Sequence, residues 1–170
     1  MIIANLSNNS VSSSSEEAFS LFEKSAMGEK KAGKIIYSDF EALYLLEKRH
    51  LEVFSGKNKL SFDSLLSKLR KKDKKIEVKY TVYFDLRSKG YILKEALKFG
   101  ADFRVYDKGS RPGTSHAPWL IFATNSSNKI TWHEFSGKNR IAHSTKKKLL
   151  IALVDSESSV SYYEIDWKRL

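Results

Sequence analysis

The stretch DFRVYDKGSRPGTSHAPWLIFAT, residues 102–124, sets two short β-prone runs on either side of a loop rich in glycine and proline. DFRVY and APWLIFAT are dominated by β-branched, aromatic and aliphatic residues, and each is too short for an ordinary helix. Three later segments repeat that character: KITWHEF at 129–135, LLIALVD at 149–155 and SVSYYEIDW at 159–167. We read all five as strand-like, with the buried end of a helix as the alternative for LLIALV. Upstream, VKYTVYFDL at 78–86 alternates aromatic and aliphatic residues, while YILKEALKF at 91–99 sets Ile92, Ala96 and Phe99 on a helical stripe ending at Gly100. The sum is a compact mixed α/β domain whose strand order is not readable from one chain.

The amino-terminal part has its own punctuation. A polar, serine-rich stretch runs from Ser7 to Ser15, and Ser14 stands three residues before Glu17, a cap for a short helix carrying Phe19 and Phe22. Ser38 and Glu41 form a clearer capping box before the apolar face of Ala42, Leu43 and Leu46. LEVFSGKNKL at 51–60 reads as an extended segment with a glycine turn, and Ser61 opens a helix with Phe62, Leu65, Leu66 and Leu69 facing a core. Seven basic residues between Lys68 and Lys79 then mark a solvated connection near residues 70–78. The expected organisation is α/β throughout: a small mixed domain over 1–75, then a mixed-sheet domain over 76–170.

Composition narrows the chemistry. The 170 residues are 41% hydrophobic, enough for a real core. Thirty Lys and Arg against 20 Asp and Glu leave a net charge of +10, which favours a polyanionic partner such as nucleic acid or an anionic membrane surface. There is no cysteine, so disulfides, thiolate catalysis, cysteine-ligated zinc and iron–sulfur clusters are excluded. The apolar runs are short and broken by charge, and IIANLSNNS lacks the pattern of a secretory leader. The expectation is a soluble, cytoplasmic protein. Neither GxxxxGK[ST] nor a strand-borne GxGxxG occurs, so nucleoside triphosphate or dinucleotide use has no support.

The residues able to do chemistry cluster in two places. Tyr106 ends a predicted strand and His116 follows the Gly/Pro-rich loop; the second place is the basic run around Arg140, His143, Lys146, Lys147 and Lys148. Cleaving RNA requires a base for the ribose hydroxyl, an acid for the departing oxygen and a cation for charge on phosphate. Tyrosine, histidine and lysine can fill these roles. A tyrosine ordinarily ionises near ~10, so its use as a base at neutral pH demands a perturbing environment or proton loss coupled to attack. Each residue also has a plain alternative: Tyr106 in the core or at an edge, His116 as a structural loop residue, Lys147 as solvated surface charge. His50 and His133 sit in segments dominated by packing signals, and four scattered histidines without clustered carboxylates do not make a metal site.

FRVYDKGSRPGTSHAPWLIF (103–122) and RIAHSTKKKLLIALVDSESSVSYYEIDW (140–167) closely resemble the archaeal tRNA-intron endonucleases, and GEKKAGKIIYSDFEALYLLEKRHLEVFSGKNKLSFDSLL (28–66) resembles that family's amino-terminal domain. The resemblance implies a metal-independent endoribonuclease without cofactors that excises introns from precursor tRNA at bulge–helix–bulge junctions. It leaves 2′,3′-cyclic phosphate and 5′-hydroxyl ends. It implies Tyr106 as general base, His116 as general acid and Lys147 as transition-state cation, a slip of one residue making the cation Lys146 or Lys148. Arg140 and Trp167 are implied as contacts to a bulged base; packing is the other role open to Trp167. The loop with Asp155 and Glu157 is implied as an assembly element entering a neighbouring subunit. A homotetramer is the leading assembly, with a catalytic subunit of a heterotetramer as the alternative. A non-catalytic RNA-binding subunit is the contrasting reading.

Overall fold

The computed structural model describes residues 1–168, so Arg169 and Leu170 at the end of the expected second domain lie outside the described residues. The chain divides into two compact units, Met1–Ile76 and Glu77–Leu170. Both are mixed α/β, as expected from the sequence.

The first unit runs β1 (Ile2–Ser7), β2 (Ser10–Ser13), α1 (Glu16–Ser25), β3 (Glu29–Lys31), β4 (Lys34–Tyr37), α2 (Asp39–Glu47), β5 (Leu51–Ser55), β6 (Asn58–Leu60) and α3 (Phe62–Arg70). Its sheet order is β3-β4-β2-β1-β5-β6. The serine-rich stretch includes a strand. Asn8 and Asn9, both with positive φ, make the tight turn that folds β2 back on β1, and β4 pairs its other edge. Ladder hydrogen bonds on both sides override the weak strand preference of serine. Ser13 is buried and donates to the Ile3 carbonyl at 2.6 Å. The cap of α1 is Ser15, which accepts from the Ala18 amide, one residue beyond the expected Ser14.

The capping box at Ser38 and Glu41 forms as expected. Glu41 does more than cap. Its buried carboxylate accepts from the Ser38 amide at 2.9 Å and from the Gly28 amide at 3.0 Å, pinning the loop before β3 to α2. Gly28 is required there: its φ is +83°, and a Cβ would collide with the Ile35 side chain.

The second unit contains α4 (Ile76–Ser88), β7 (Ile92–Glu95), a 3₁₀ turn at Leu97–Phe99, β8 (Phe103–Tyr106), β9 (Trp119–Asn125), α5 (Trp132–Ser144), β10 (Lys148–Val154) and β11 (Val160–Ile165). The sheet order is β11-β10-β9-β8-β7. β9 and β10 are parallel, joined through α5; the other pairs are antiparallel.

One stretch left without an element is assigned, and two local expectations are corrected. The alternation in VKYTVYFDL is helical: the buried Tyr80, Tyr83 and Leu86 recur every three residues along α4, which starts inside the expected connection. The helical stripe in YILKEALKF is instead strand β7 and a short turn, because Ile92–Glu95 pair in register with Tyr106–Phe103, and that pairing outweighs the helix preference of KEALK. KITWHEF opens α5. Thr131 and Glu134 form a capping box there, and that signal is the same S/T-x-x-E pattern that marked α2.

Alternation sorts the strands of the second unit into two faces. Leu120 and Phe122 of β9 and Leu149 of β10 form a core cluster with Ala142 of α5, joined by Phe135 and Ile141. On the other face, Phe103 packs its ring 5.8 Å from Tyr83 of α4, and the Tyr162 hydroxyl donates to Asp85 at 2.6 Å. The sheet thus lies between the two helices. Asp102 secures the approach to β8, with one carboxylate oxygen accepting from the Ala123 amide and the other 3.1 Å from Lys79.

Candidate active site

The strand order brings distant residues to one end of this sheet. β8 finishes where β9 begins, with Val105 opposite Trp119, and β10 begins beside the same residue, with Lys148 opposite Trp119. Tyr106 is the last residue of β8, His116 lies in the loop returning to β9, and Lys147 immediately precedes β10. All three sequence-predicted catalytic residues therefore lie at the same end of this sheet, although they are far apart along the chain. Tyr106 is 4% exposed and fixed by pairing with Ile92. His116 is exposed. Its loop is shaped by positive-φ residues Gly109 and Gly113 and by the Ser115 amide donating to the Arg111 carbonyl at 2.9 Å.

Lys147 is stitched to the same loop. Its ammonium donates to the Ala117 carbonyl at 2.9 Å, one residue beyond His116. The Lys148 amide adds a 2.9 Å bond to the Pro118 carbonyl. Among the described residues no hydrogen bond joins the Tyr106, His116 and Lys147 side chains to one another, and the Lys147 ammonium is held by the Ala117 carbonyl.

The three consecutive lysines have different fates, settled by how α5 ends. Lys146 adopts a left-handed conformation (φ +56°), its amide bonding the His143 carbonyl at 3.0 Å while the Lys147 amide bonds Ala142 at 2.9 Å. This is a helix-closing turn usually occupied by glycine. Lys148 enters the strand on the α4 face and pairs with Glu164 at 2.7 Å; Glu164 also accepts from the Trp119 indole at 2.7 Å. The hydrogen bond and charge of Glu164 raise the Lys148 pKa. Lys147 shifts the opposite way. Burial lowers its pKa below that of an ordinary lysine, and the neighbouring Arg104 cation lowers it further.

The remaining expected residues are distributed differently. Arg140 is exposed on α5. Trp167, half exposed, packs against His143, with ring centroids 4.5 Å apart and planes tilted by 57°. The sequence placed His143 only in a basic patch; its spacing of three residues from Arg140 puts both on one side of α5 and was the available signal. Asp155 and Glu157 lie in the β10–β11 turn, at the far end of β10 from Lys147. There Asp155 accepts from the Glu157 and Ser159 amides, both at 2.9 Å, so it shapes its own turn. His50 and His133 are exposed, contrary to the packing roles their segments suggested. Among the described residues no group of three or more His, Asp or Glu stands close enough to hold a metal ion, and no helix is long and apolar enough to cross a membrane.

Two family models cover most of the chain: the tRNA intron endonuclease amino-terminal domain matches residues 2–66, and the tRNA intron endonuclease catalytic carboxyl-terminal domain matches residues 76–162. The chain belongs to the tRNA intron endonuclease family. That membership makes it an endonuclease of tRNA processing. Similar relatives are archaeal proteins named tRNA-splicing endonuclease. The one from Thermococcus gammatolerans is 36% identical over 170 residues, covering 99% of each chain. That from Pyrococcus furiosus is 41% identical across 84% of this chain and 81% of its own, and that from Nanoarchaeum equitans is 42% identical across 76% and 86%. Tyr106, His116 and Lys147 all fall within the stretch matched by the family's catalytic domain, whereas Trp167 lies beyond it.

Proposed function

We propose that this endonuclease excises introns from precursor tRNA at bulge–helix–bulge junctions without a metal ion, using a trio of Tyr106, His116 and Lys147 in the carboxyl-terminal domain (76–170). Tyr106 takes the proton from the ribose 2′-hydroxyl as that oxygen attacks the adjacent phosphorus. The P–O5′ bond breaks, His116 protonates the departing oxygen, and Lys147 opposes the charge that builds on the non-bridging oxygens. The products are a 2′,3′-cyclic phosphate and a 5′-hydroxyl. The observation that supports this most is the Lys147–Ala117 hydrogen bond, which ties the cation to the histidine's loop at the end of the sheet where Tyr106 emerges.

Arg140 and Trp167 are suited to a bulged base, a guanidinium and an indole being able to stack on it, with His143 supporting the indole. The net charge of +10 draws the RNA. Assembly into a homotetramer, with the Asp155 and Glu157 turn entering a neighbouring subunit, sets two sites against the two junctions. The protein works in the cytoplasm.

The test offers purified protein an intron-containing precursor in EDTA, with mass followed by light scattering and the upstream end examined for cyclic phosphate. Tetramer fractions that cut both junctions bear out the proposal. Tight binding without cleavage by an assembled tetramer points to an RNA-binding structural subunit. Activity only after a different subunit is added points to the catalytic half of a heterotetramer.

A further inference from the structure

Arg104 is a cation that the proposed chemistry leaves unused. It sits in β8 opposite Lys94 and Leu120, on the α5 face of the sheet, two residues before Tyr106 and therefore on the same side of the strand. Its guanidinium lies 5.8 Å over the Phe99 ring, a flat support that limits its rotation. Its Nε is sealed from solvent and, among the described residues, meets no hydrogen-bond acceptor. Among the described residues no carboxylate forms an ion pair with it. Arg104 lies opposite Leu120, and Leu120 opposite Leu149, two residues after Lys147, so the strand register sets Arg104 diagonally across the sheet from Lys147; consistent with this, its charge lowers the Lys147 pKa.

Two cations that repel each other, one with a buried donor unsatisfied, are unfavourable in a folded protein by themselves. The arrangement becomes favourable when an anion with several acceptor oxygens lies across both. A tetrahedral phosphodiester has that form, and a planar guanidinium suits it better than an ammonium does.

We propose that Arg104 and Lys147 form one oxyanion site, in which Arg104 holds a non-bridging oxygen of the phosphodiester undergoing cleavage and is a fourth catalytic residue. The proposal rests on the role assigned to Lys147 above. It makes the mutual repulsion of the two cations part of the mechanism, since both are relieved most when negative charge on the phosphate peaks.

Two measurements on the assembled, full-length protein test it. Crystals of the unmodified protein soaked in tungstate, a tetrahedral oxyanion, are expected to show anomalous density within hydrogen-bond reach of both Arg104 and Lys147; density on Lys147 alone, or on neither, overturns the proposal. In single-turnover cleavage at saturating precursor RNA, Arg104→Gln is expected to slow the reaction ~10- to 100-fold, with Arg104→Lys recovering part of the loss because it keeps the charge. If Lys147→Met abolishes cleavage while a folded Arg104→Gln stays within twofold of wild type, the Arg104 site is wrong and the trio stands. If Lys147→Met cleaves normally, the role of Lys147 falls and this proposal with it. Should Arg104→Gln fail to fold, the tungstate site decides.

Discussion

Replacing Lys147 with methionine keeps most of the aliphatic stem and removes the ammonium that donates to the Ala117 carbonyl at 2.9 Å. Losing one preorganised charge-stabilising group at a developing oxyanion costs roughly 10²- to 10³-fold in rate, or ~2.7–4 kcal/mol of transition-state stabilisation. The separate loss of a part-buried hydrogen bond costs stability of only ~1 kcal/mol. The neighbours supply the controls. Lys146→Gly relieves a left-handed backbone and is expected to raise stability by roughly 1 kcal/mol without slowing the chemical step. Lys148→Met breaks the exposed pair with Glu164 and affects RNA affinity rather than the rate at saturation. Single-turnover cleavage with saturating precursor RNA, at two salt concentrations, separates the cases: salt weakens phosphate-driven binding in every variant, but saturation cannot restore a missing transition-state charge. Because burial and then Arg104 lower the Lys147 pKa, this cation and the rate it supports should be lost as pH rises, before it reaches 10.5, the ordinary lysine value. Equal defects in the three variants, or a normal rate in Lys147→Met, would refute the reasoning.

His116→Ala should retain RNA affinity and lose at least ~10²-fold in single-turnover rate, since a general acid acts mainly in the transition state; parallel filter-binding and cleavage assays check this. Glu41→Ala removes the acceptor for the Gly28 and Ser38 amides and should destabilise the first unit by about 3 kcal/mol, read from urea unfolding. Tyr37 tests linkage. Burial first, and then the Glu41 charge, push its pKa up to about 12, so above pH 10 the unfolded chain releases this proton while the folded one holds it, and stability falls as pH rises. Its buried hydroxyl has no hydrogen-bond partner among the described residues, so Tyr37→Phe should be neutral or stabilising at pH 7 and increasingly advantageous between pH 10 and 12; an unfolding free-energy difference that stays constant with pH contradicts the assignment.

Much of the local structure was legible because its causes act within a few residues. Ser38 and Glu41 close a capping box four residues long, and the glycine turn in LEVFSGKNKL joins adjacent strands β5 and β6. The same reasoning was available for Thr131 and Glu134 but lost to the aromatic and β-branched character of KITWHEF. YILKEALKF failed for a different reason: its helical spacing is real, yet what makes Ile92–Glu95 a strand is its pairing with β8, and although DFRVY reads as strand-like, no local pattern announces which segment it pairs with.

For the site, the residue types and the family motifs in 103–122 and 140–167 marked Tyr106, His116 and Lys147 as candidates from the sequence alone. Tertiary structure decided what each touches. The left-handed turn at Lys146 sends three neighbouring lysines to different surroundings, and the order β10-β9-β8 sets Lys147 against the loop that holds His116. It also seats Trp167 on His143 and turns Arg104 to the same face as Tyr106. Those outcomes depend on register and on which strand lies beside which, and such pairings are fixed by the burial of a whole sheet between two helices, a quantity summed over residues too distant for any short motif to encode.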